Sequence, residues 1–244
     1  MRVLELWRYP VKSLQGERLD AVAVTESGFE GDRRFALFDL ETGFGLTARR
    51  VPELLFASAR LTAEGEAEIT LPDGSVVADD DALSAWLGRK VQLRRADDGG
   101  GERLYENPLD FEREQTSRWE AFNGAPGPFH DSSRTRVSLV STETLGSWDR
   151  RRFRSNVLLE GGGEGQLVDC TIALGQATLS VGNHIERCVM VTRPQPQGIV
   201  RDLGVLRTIA QERQNRLAVG ALVSEPGTVK VGDALRRTTP PPDA

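Results

Sequence analysis

Cysteine and histidine are scarce in this chain, whose 244 residues include only two of each. Cys170 and Cys188 are too far apart for the CxxC pattern of zinc and redox sites, and two cysteines do not make a disulfide framework. Two histidines exclude a histidine-rich metal site. Each cysteine is therefore either a small buried hydrophobic residue, as free cysteines often are, or a single reactive thiolate.

Long apolar runs and excess positive charge are also missing. No segment approaches the roughly 18 apolar residues of a membrane span, and Arg8, Pro10 and Lys12 interrupt any signal-like core at the N-terminus. A net charge of −5 argues against nucleic-acid binding through bulk electrostatics. With 39% hydrophobic and 27% charged residues, the composition predicts a soluble globular protein. We expect it to be cytoplasmic, with no nucleic-acid or membrane partner.

The common nucleotide and hydrolase motifs do not occur. The sequence contains no GxGxxG, Walker, HExxH or GxSxG pattern. His130 and His184 lie in no recognisable catalytic context, so we interpret both as ordinary histidines, although counting alone does not exclude serine–histidine–acid catalysis.

Short β-prone runs separated by turn residues make up most of the sequence. Hairpins are predicted for 57–71 and for 172–174 with 177–181. A last hairpin is predicted for 222–223 with 229–235, across the turn at 225–227. This pattern predicts a mainly β fold with a few short helices, arranged as β-barrel architecture in two parts.

Few segments have helical periodicity. Val205 to Arg216 is the clearest helix, and Ser141 precedes a second helix start whose free amides could bind an anion. The three aspartates at 79–81 are interpreted as the cap of a short helix, with a cation site as the alternative.

Composition divides the chain into four segments. A first β part covers 1–96, a second covers 135–236, and 237–244 is predicted to be a disordered tail. Between the β parts, 97–134 is rich in glycine, proline and charge without a clear period, and the sequence leaves open whether it is an ordered loop or a linker.

The segment IERCVMVTRP, Ile185 to Pro194, is the centre of the functional interpretation. Cys188 follows Arg187 and begins the β-prone run 189–192, which predicts the start of a strand. Thiolates select soft metals, but one cysteine cannot hold such an ion alone, so an organic cofactor would have to supply further sulfurs.

Cationic side chains elsewhere would suit the anionic parts of such a cofactor, because arginine offers a planar fork for phosphate. The helix start at Ser141 would add free amides. The cations are Lys12, Arg33, Arg34, Arg154 and Arg187. Taken alone, Lys12 is interpreted as a solvated turn lysine, and the pair Arg33 and Arg34 is either surface charge or an anion clamp.

Six motifs together resemble the MOSC-domain family, and the resemblance covers nearly the whole chain. They occur in the family's order: YPVKS at 9–13, GDRRF at 31–35, LVSTETL at 139–145, RFRSN at 152–156, ERC at 186–188 and EPGTVKVGD at 225–233. The resemblance implies a MOSC domain preceded by a MOSC N-terminal β-barrel domain. The family includes the C-terminal domain of molybdenum cofactor sulfurase and the mitochondrial amidoxime-reducing component with its bacterial relatives.

The resemblance also implies a site. Cys188 would be the protein thiolate on molybdenum, beside the two dithiolene sulfurs of molybdopterin. The residues implied to hold the pterin and its phosphate are Lys12, Ser13, one of Arg33 and Arg34, Ser141, Arg154 and Asn156. Ser155 departs from the proline common in the RFRPN form, which is expected to change the stiffness of the turn more than its charge.

By resemblance, we expect a molybdenum-dependent oxidoreductase that removes oxygen from small N-hydroxylated substrates. The chain shows neither the ferredoxin-like iron–sulfur domain of some relatives nor the pyridoxal phosphate domain of the sulfurase, so neither of those cofactors is expected. A separate electron-donor protein would be needed. Two alternatives stay open: a carrier of molybdenum cofactor or of a persulfide on Cys188, and a MOSC fold with a vacant site.

Overall fold

A computed structural model describes residues 1–77, 79–97, 103–111, 113–114 and 116–238. Strands predominate over helices in these ranges, which confirms the mainly β prediction. The strands, in chain order, are β1 (Val3–Arg8), β2 (Glu17–Leu19), β3 (Ala21–Thr25), β4 (Gly28–Phe29), β5 (Phe35–Asp39), β6 (Ser58–Leu61), β7 (Ala67–Thr70), β8 (Val76–Val77), β9 (Val91–Arg95), β10 (Leu104–Pro108), β11 (Trp119–Asn123), β12 (Val137–Ser141), β13 (Val157–Leu159), β14 (Cys170–Leu174), β15 (Ala177–Glu186), β16 (Arg216–Glu225), β17 (Gly227–Lys230) and β18 (Leu235–Arg237).

Helical structure is limited to short segments. The α-helices are α1 (Asp80–Leu87), α2 (Thr142–Leu145) and α3 (Leu203–Arg213), and the 3₁₀ turns are Pro52–Phe56, Arg150–Arg152, Glu164–Leu167 and Val189–Thr192.

The chain forms two compact units, and neither is continuous in sequence. Unit 1 comprises Met1–Arg8, Gln15–Asp32 and Arg134–Ala244, and unit 2 comprises Tyr9–Leu14 and Arg33–Ser133. The segments predicted from composition, 1–96 and 135–236, are continuous in sequence and are a different kind of division from these units. Their bounds therefore stay a prediction. Most of the predicted tail, 239–244, lies outside the described residues.

Unit 1 is built on one eight-stranded sheet with the order β18-β14-β15-β16-β12-β13-β1-β2, and it also contains the three-stranded sheet β17-β3-β4. Alternate residues of these strands point to one core because side chains alternate across a strand. That core is almost wholly aliphatic, and Leu6, Leu139, Ile172 and Leu179 are completely buried in it.

Unit 2 is built from smaller sheets: β5 with β9, β10 with β11, and β6-β7-β8. One of its buried clusters is aromatic, with the rings of Phe38, Tyr105 and Phe129 in contact. The pair β10 and β11 is an antiparallel hairpin in register from Leu104 with Asn123 to Pro108 with Trp119. The segment 97–134, whose order the sequence left open, therefore contains regular structure in its described part.

The predicted helix caps are confirmed. Asp79 caps α1, where its carboxylate accepts a hydrogen bond from the Ala82 amide at 2.8 Å. Ser141 caps α2 and accepts from the Thr144 amide at 3.2 Å. The third helix is shifted from the prediction: α3 ends at Arg213, and Arg216 already begins β16.

The strand predicted to start at Cys188 is wrong. The preceding strand, β15, ends at Glu186, and Val189–Thr192 forms a 3₁₀ turn. Local β propensity is overridden because hydrogen bonds from a distant side chain, described below, take up carbonyls of this segment.

The last predicted hairpin is also wrong. Strand β17 pairs with β3, from Gly227 with Val24 to Lys230 with Ala21, and β18 pairs with β14. A turn signal indicates that the chain reverses, but which strand becomes the neighbour is decided by the sheet as a whole.

Candidate functional site

Cys188 lies in unit 1, two residues after the end of β15. It directly precedes the 3₁₀ turn Val189–Thr192, as its N-cap residue, and has an extended backbone, with φ −122° and ψ −178°. The side chain is half-buried. Within the described ranges, no group forms a hydrogen bond with its Sγ. The thiol is therefore available for a reaction or for coordination.

Arg187, the neighbour of Cys188, donates to two backbone carbonyls. Its Nε is 2.8 Å from the Leu217 oxygen and its Nη1 is 3.0 Å from the Phe153 oxygen. The guanidinium carbon also lies 5.4 Å from the centre of the Phe153 ring. These contacts give Arg187 a place in the protein interior, while its predicted contact with a cofactor stays a prediction.

Arg152 is a residue that sequence reasoning missed. It is only 9% exposed, and its Nη1 donates to the carbonyls of Val191 at 3.0 Å and Arg193 at 3.3 Å. Its Nη2 donates to the Val200 carbonyl at 2.8 Å. In the sequence this arginine is simply part of a basic turn, and the signal that could have found it is its position in the same motif as Arg154 and Asn156.

Arg154 has a left-handed backbone, with φ +52°. Ser13 and Arg33 share this conformation, with φ +72° and +53°. Side chains other than glycine rarely adopt this region, and such residues are concentrated at functional sites. Three of the predicted site residues are therefore held in a conformation that the local sequence does not favour.

Asn156 is at the centre of a buried hydrogen-bond network in unit 1. Its Oδ1 accepts from the amide and hydroxyl of Ser138 at 3.1 and 2.9 Å. Its Nδ2 donates to the Trp7 carbonyl at 3.2 Å and to Asp32 Oδ2 at 3.0 Å. Both amide hydrogens are thus bound within the protein, so a direct contact from them to a cofactor would require one of these bonds to break.

Ser141 is completely buried and binds a buried carboxylate. Its hydroxyl donates to Glu164 Oε2 at 2.5 Å, and its amide donates to Glu164 Oε1 at 3.2 Å. Because its Oγ also caps α2, this side chain fixes the start of the helix to the Glu164 turn.

Lys12 lies in unit 2 and is only 7% exposed. Its Nζ donates to the Phe129 carbonyl at 3.1 Å, forms an ion pair with Asp131, and lies 5.1 Å from the centre of the Tyr105 ring. The solvated turn lysine considered from the sequence is therefore not what the structure contains. Next to it, the Ser13 Oγ accepts from the Ala48 amide at 3.0 Å.

The two predicted arginines of unit 2 have different surroundings. The Arg33 guanidinium carbon lies 4.4 Å from the centre of the Tyr9 ring. Arg34 pairs through Nη2 with Asp97 at 3.1 Å, while its buried Nε has no hydrogen-bond partner among the described residues. An unsatisfied buried donor of this kind is costly unless a ligand or water accepts from it.

The structure brings the predicted residues together in two groups. In unit 1, the RFRSN segment and the Cys188 segment are joined through Arg152, Phe153 and Arg187. In unit 2, the Phe129 backbone joins Lys12 to Arg33, since its carbonyl accepts from Lys12 and its amide donates to the Arg33 carbonyl at 2.7 Å.

No described group of three or more histidine, cysteine, aspartate or glutamate side chains is arranged to hold a metal ion. The alternative interpretation of Asp79–Asp81 as a cation site is therefore not supported. In the described ranges, no helix has the length and apolar character that crossing a membrane requires.

Comparisons with known families agree with the motifs. Residues 1–98 match the MOSC N-terminal beta barrel domain, and residues 124–236 match the MOSC domain. A curated relative, the molybdenum cofactor sulfurase of Drosophila grimshawi, is 24% identical over 247 residues. The match covers 91% of this chain, which spans 32% of the length of that relative.

Among solved structures, the chain is similar to the YuaD protein from Bacillus subtilis, with 12% identity, a TM-score of 0.48, and coverage of 96% of this chain and 93% of that one. It is also similar to YiiM from Geobacillus stearothermophilus, with 15% identity, a TM-score of 0.37, and coverage of 57% and 73%.

Proposed function

We propose that this chain, which belongs to the MOSC family and carries both a MOSC N-terminal β-barrel domain and a MOSC domain, binds molybdenum cofactor and uses it to reduce N-hydroxylated substrates. The observation that carries the proposal is the half-buried Cys188 thiol, whose Sγ has no hydrogen bond within the described ranges.

The donor set fits a molybdenum bound to a dithiolene. Thiolate is the ligand that soft metals prefer, and Cys188 offers one. Among the described residues, no group of three or more histidine, cysteine, aspartate or glutamate side chains forms a metal site that includes Cys188. A metal at Cys188 would therefore need its other ligands from a cofactor, and the two sulfurs of molybdopterin supply them.

The cationic residues fit the anionic parts of the same kind of cofactor. Arg154 is a candidate to bind the phosphate, since guanidinium groups form strong charge-assisted hydrogen bonds with it. The resemblance of the motifs implies the same role for Lys12, Arg33 and Arg34. The buried Arg34 Nε, which lacks an acceptor among the described residues, supports this assignment. Ser13, whose Oγ accepts from an amide, still has a hydroxyl hydrogen to donate.

Ser141, Asn156 and Arg187 suit a supporting role. The Ser141 hydroxyl donates to Glu164, and the Asn156 amide donates to Asp32 and to the Trp7 carbonyl. Arg187 donates to backbone carbonyls. In this proposal the three residues hold the strands and turns around the site in place.

When bound, the cofactor would supply two-electron oxygen-atom chemistry. The overall reaction is R–NHOH + 2 e⁻ + 2 H⁺ → R–NH₂ + H₂O, in which the N–O bond breaks and the oxygen leaves as water. A separate electron-donor protein would provide the two electrons. The task of this chain would be to ligate the metal through Cys188, to bind the cofactor's anionic groups and to orient it.

The test is cofactor loading. The protein is purified from a host that makes molybdenum cofactor, and molybdenum and pterin are measured for the wild type, Cys188→Ala and Cys170→Ala. We expect near-stoichiometric loading of the wild type, loss or altered coordination of molybdenum in Cys188→Ala, and no change in Cys170→Ala. Unchanged coordination in Cys188→Ala would refute the assignment. Turnover of an amidoxime with an artificial reductant then tests the reaction.

The similarity to a molybdenum cofactor sulfurase favours a second candidate, a carrier of the cofactor or of a persulfide on Cys188. A carrier would load cofactor without reducing an amidoxime, or would show a persulfide on Cys188 by mass spectrometry. Absence of molybdenum, pterin and persulfide from protein made in a competent host would contradict both candidates.

A further inference from the structure

We propose that Arg152 and Arg187 are positioning residues for Cys188 and act as a reciprocal clamp on the turn that carries the thiol. They belong to segments that are far apart in sequence, and each donates to the backbone of the other's segment. The importance of the clamp for catalysis rests on the proposed function, but the clamp itself is a property of the polypeptide.

The turn after Cys188 has few backbone hydrogen bonds of its own. It is a single 3₁₀ turn, and its internal backbone bonds, from the amide of Val191 to the Cys188 oxygen and from the amide of Arg193 to the Met190 oxygen, are both 3.2 Å long. Hydrogen-bond geometry in 3₁₀ structure is poor, and such turns are stable only in short pieces. An external contact is therefore needed to fix the position of the thiol.

Arg152 supplies that contact on the C-terminal side. Its buried guanidinium reaches the carbonyls of Val191 and Arg193, which are in or next to the turn, and the carbonyl of Val200. One rigid group thus connects the turn with the segment that leads into α3. The fixed fork geometry of guanidinium permits three bonds at once, which a lysine ammonium in the same place cannot reproduce.

Arg187 supplies the contact on the N-terminal side. Its amide donates to the Asn215 carbonyl at 2.9 Å, its Nε to Leu217 and its Nη1 to Phe153. The backbone immediately before Cys188 is therefore fixed to β16 and to the residue after Arg152. Since the backbone is held on both sides of Cys188, the direction in which its side chain leaves the backbone is defined without a metal.

The test measures thiol accessibility, which does not depend on a cofactor. The rate of alkylation of Cys188 by iodoacetamide is compared with that of Cys170 in the same molecule by peptide mass spectrometry, in the wild type, Arg152→Lys and Arg187→Lys. We expect the Cys188 to Cys170 ratio to rise about tenfold in each variant, equivalent to about 1.4 kcal/mol. Because lysine keeps the positive charge of arginine, an increase in the ratio reports the loss of the guanidinium's hydrogen-bond geometry.

Arg213→Lys is the matched control. Arg213 also donates to a carbonyl, that of Thr144 at 2.8 Å, and also lies over an aromatic ring, that of Trp148, but it contacts neither side of Cys188. Its substitution should leave the ratio unchanged. An unchanged ratio in the folded clamp variants, or an equal rise in Arg213→Lys, would overturn the proposal.

Hydrogen exchange of the wild type gives a measurement that needs no variant. The clamp predicts that the amides of Val191 and Arg193 exchange as slowly as those of the neighbouring strand residues. Fast exchange at both would overturn the clamp even if neither lysine variant folds. Because none of these readouts involves molybdenum, the clamp and the proposed function can each fail without the other.

Discussion

The two units differ in the way their cores are built. Unit 1 has one continuous eight-stranded sheet over an almost wholly aliphatic core, whereas unit 2 combines small sheets with an aromatic cluster around Phe38 and Tyr105. A continuous sheet gives each interior strand, including β15, two neighbours that fix its register. Elements held in this way position a side chain better than loops do, and Cys188 lies in unit 1, directly beyond such a strand.

Two arginines of unit 1 and two of unit 2 illustrate different kinds of contact. In unit 1, Arg152 and Arg187 donate to backbone carbonyls at 2.8 to 3.3 Å. In unit 2, Arg94 and Arg95 lie over the rings of Phe38 and Phe35 at 4.4 and 5.3 Å. Hydrogen bonds depend strongly on angle, while stacking over a ring tolerates more lateral movement, so the first arrangement constrains a backbone more tightly.

The largest loss of stability is expected for a substitution in the core of unit 1. Leu139 is completely buried at the middle of β12, where it pairs with Val157 on one side and Val219 on the other. Leu139→Ala should reduce the free energy of unfolding by about 3 kcal/mol, because it removes buried methyl groups and leaves a cavity. Denaturant titration measures this. Leu222→Ala on β16, where the side chain is 44% exposed, is the control and should cost far less.

A smaller but clear effect is expected at the aromatic cluster of unit 2. A Cβ added at Gly45 would lie 2.3 Å from Cε1 of the Tyr105 ring, so Gly45→Ala should cost about 2 kcal/mol through overpacking. The cost should largely disappear in a Tyr105→Ala background. An equal cost in both backgrounds would show that the ring is not the cause. Gly182→Ala in unit 1, where nothing lies within 4 Å, is the control.

Lowering the pH should reduce the stability of the two units by different amounts, through Asp39 in unit 2 and Asp149 in unit 1. Burial alone would raise the pKa of Asp39, but the amides of Thr42 and Glu41 and the charge of Arg89 together hold that pKa below its ordinary value. The hydrogen bond and charge of Arg151 similarly lower the pKa of Asp149 in unit 1, against the opposing effect of burial.

A lowered pKa in the folded state contributes stability above the unfolded pKa, near 3.8, and this contribution is lost as the pH falls through the folded value. Asp39→Asn should therefore cost about 1 kcal/mol near neutral pH, a modest amount because Arg89 is 43% exposed and its charge is screened. The difference from wild type should shrink as the pH falls below 3.8 and the folded protein also becomes protonated at Asp39. Asp149→Asn should show a smaller difference, since Asp149 is more exposed than Asp39. Denaturant titrations across this pH range check both.

The smallest effect is expected for the hydroxyl of Tyr105. It is buried and has no hydrogen-bond partner among the described residues, and burial together with the charge of Asp131 raises the pKa of the phenol. Tyr105→Phe should be neutral or stabilise unit 2 by less than about 1 kcal/mol, since an unsatisfied polar group is removed. Thermal unfolding measures this, and a clear loss of stability would indicate a bound partner for the hydroxyl.

Local features of the fold could be predicted from the sequence. The β14–β15 hairpin follows from turn residues at Gly175 and Gln176 between alternating strands, and the caps at Asp79 and Ser141 follow from side chains that satisfy free helix amides. The pairing of β17 with β3 could not be predicted, because about 200 residues separate the two strands and neither contains a signal for the other.

The candidate site, too, has features that the sequence predicted and features that it did not. The resemblance of the motifs singled out Cys188 and the cations Lys12, Arg33, Arg34, Arg154 and Arg187. It did not indicate that Asn156 binds Ser138 and Asp32 in the interior, or that Ser141 binds Glu164 there. Nor did it indicate that Arg152 holds the turn after Cys188.

By itself, the sequence determined the family, the mainly β class, the turns and caps, and the thiol around which a function can be proposed, because each depends on residues close together in the chain or on motifs as such. Only the tertiary structure decided that 189–192 is a 3₁₀ turn, and that Arg152 binds carbonyls in and after this turn. It also decided that Arg187, directly before Cys188, binds the carbonyls of Phe153 and Leu217. The reason is physical: the donors of a guanidinium that is shielded from water must find acceptors, and the acceptors of Arg152 and Arg187 belong to residues thirty or more positions away.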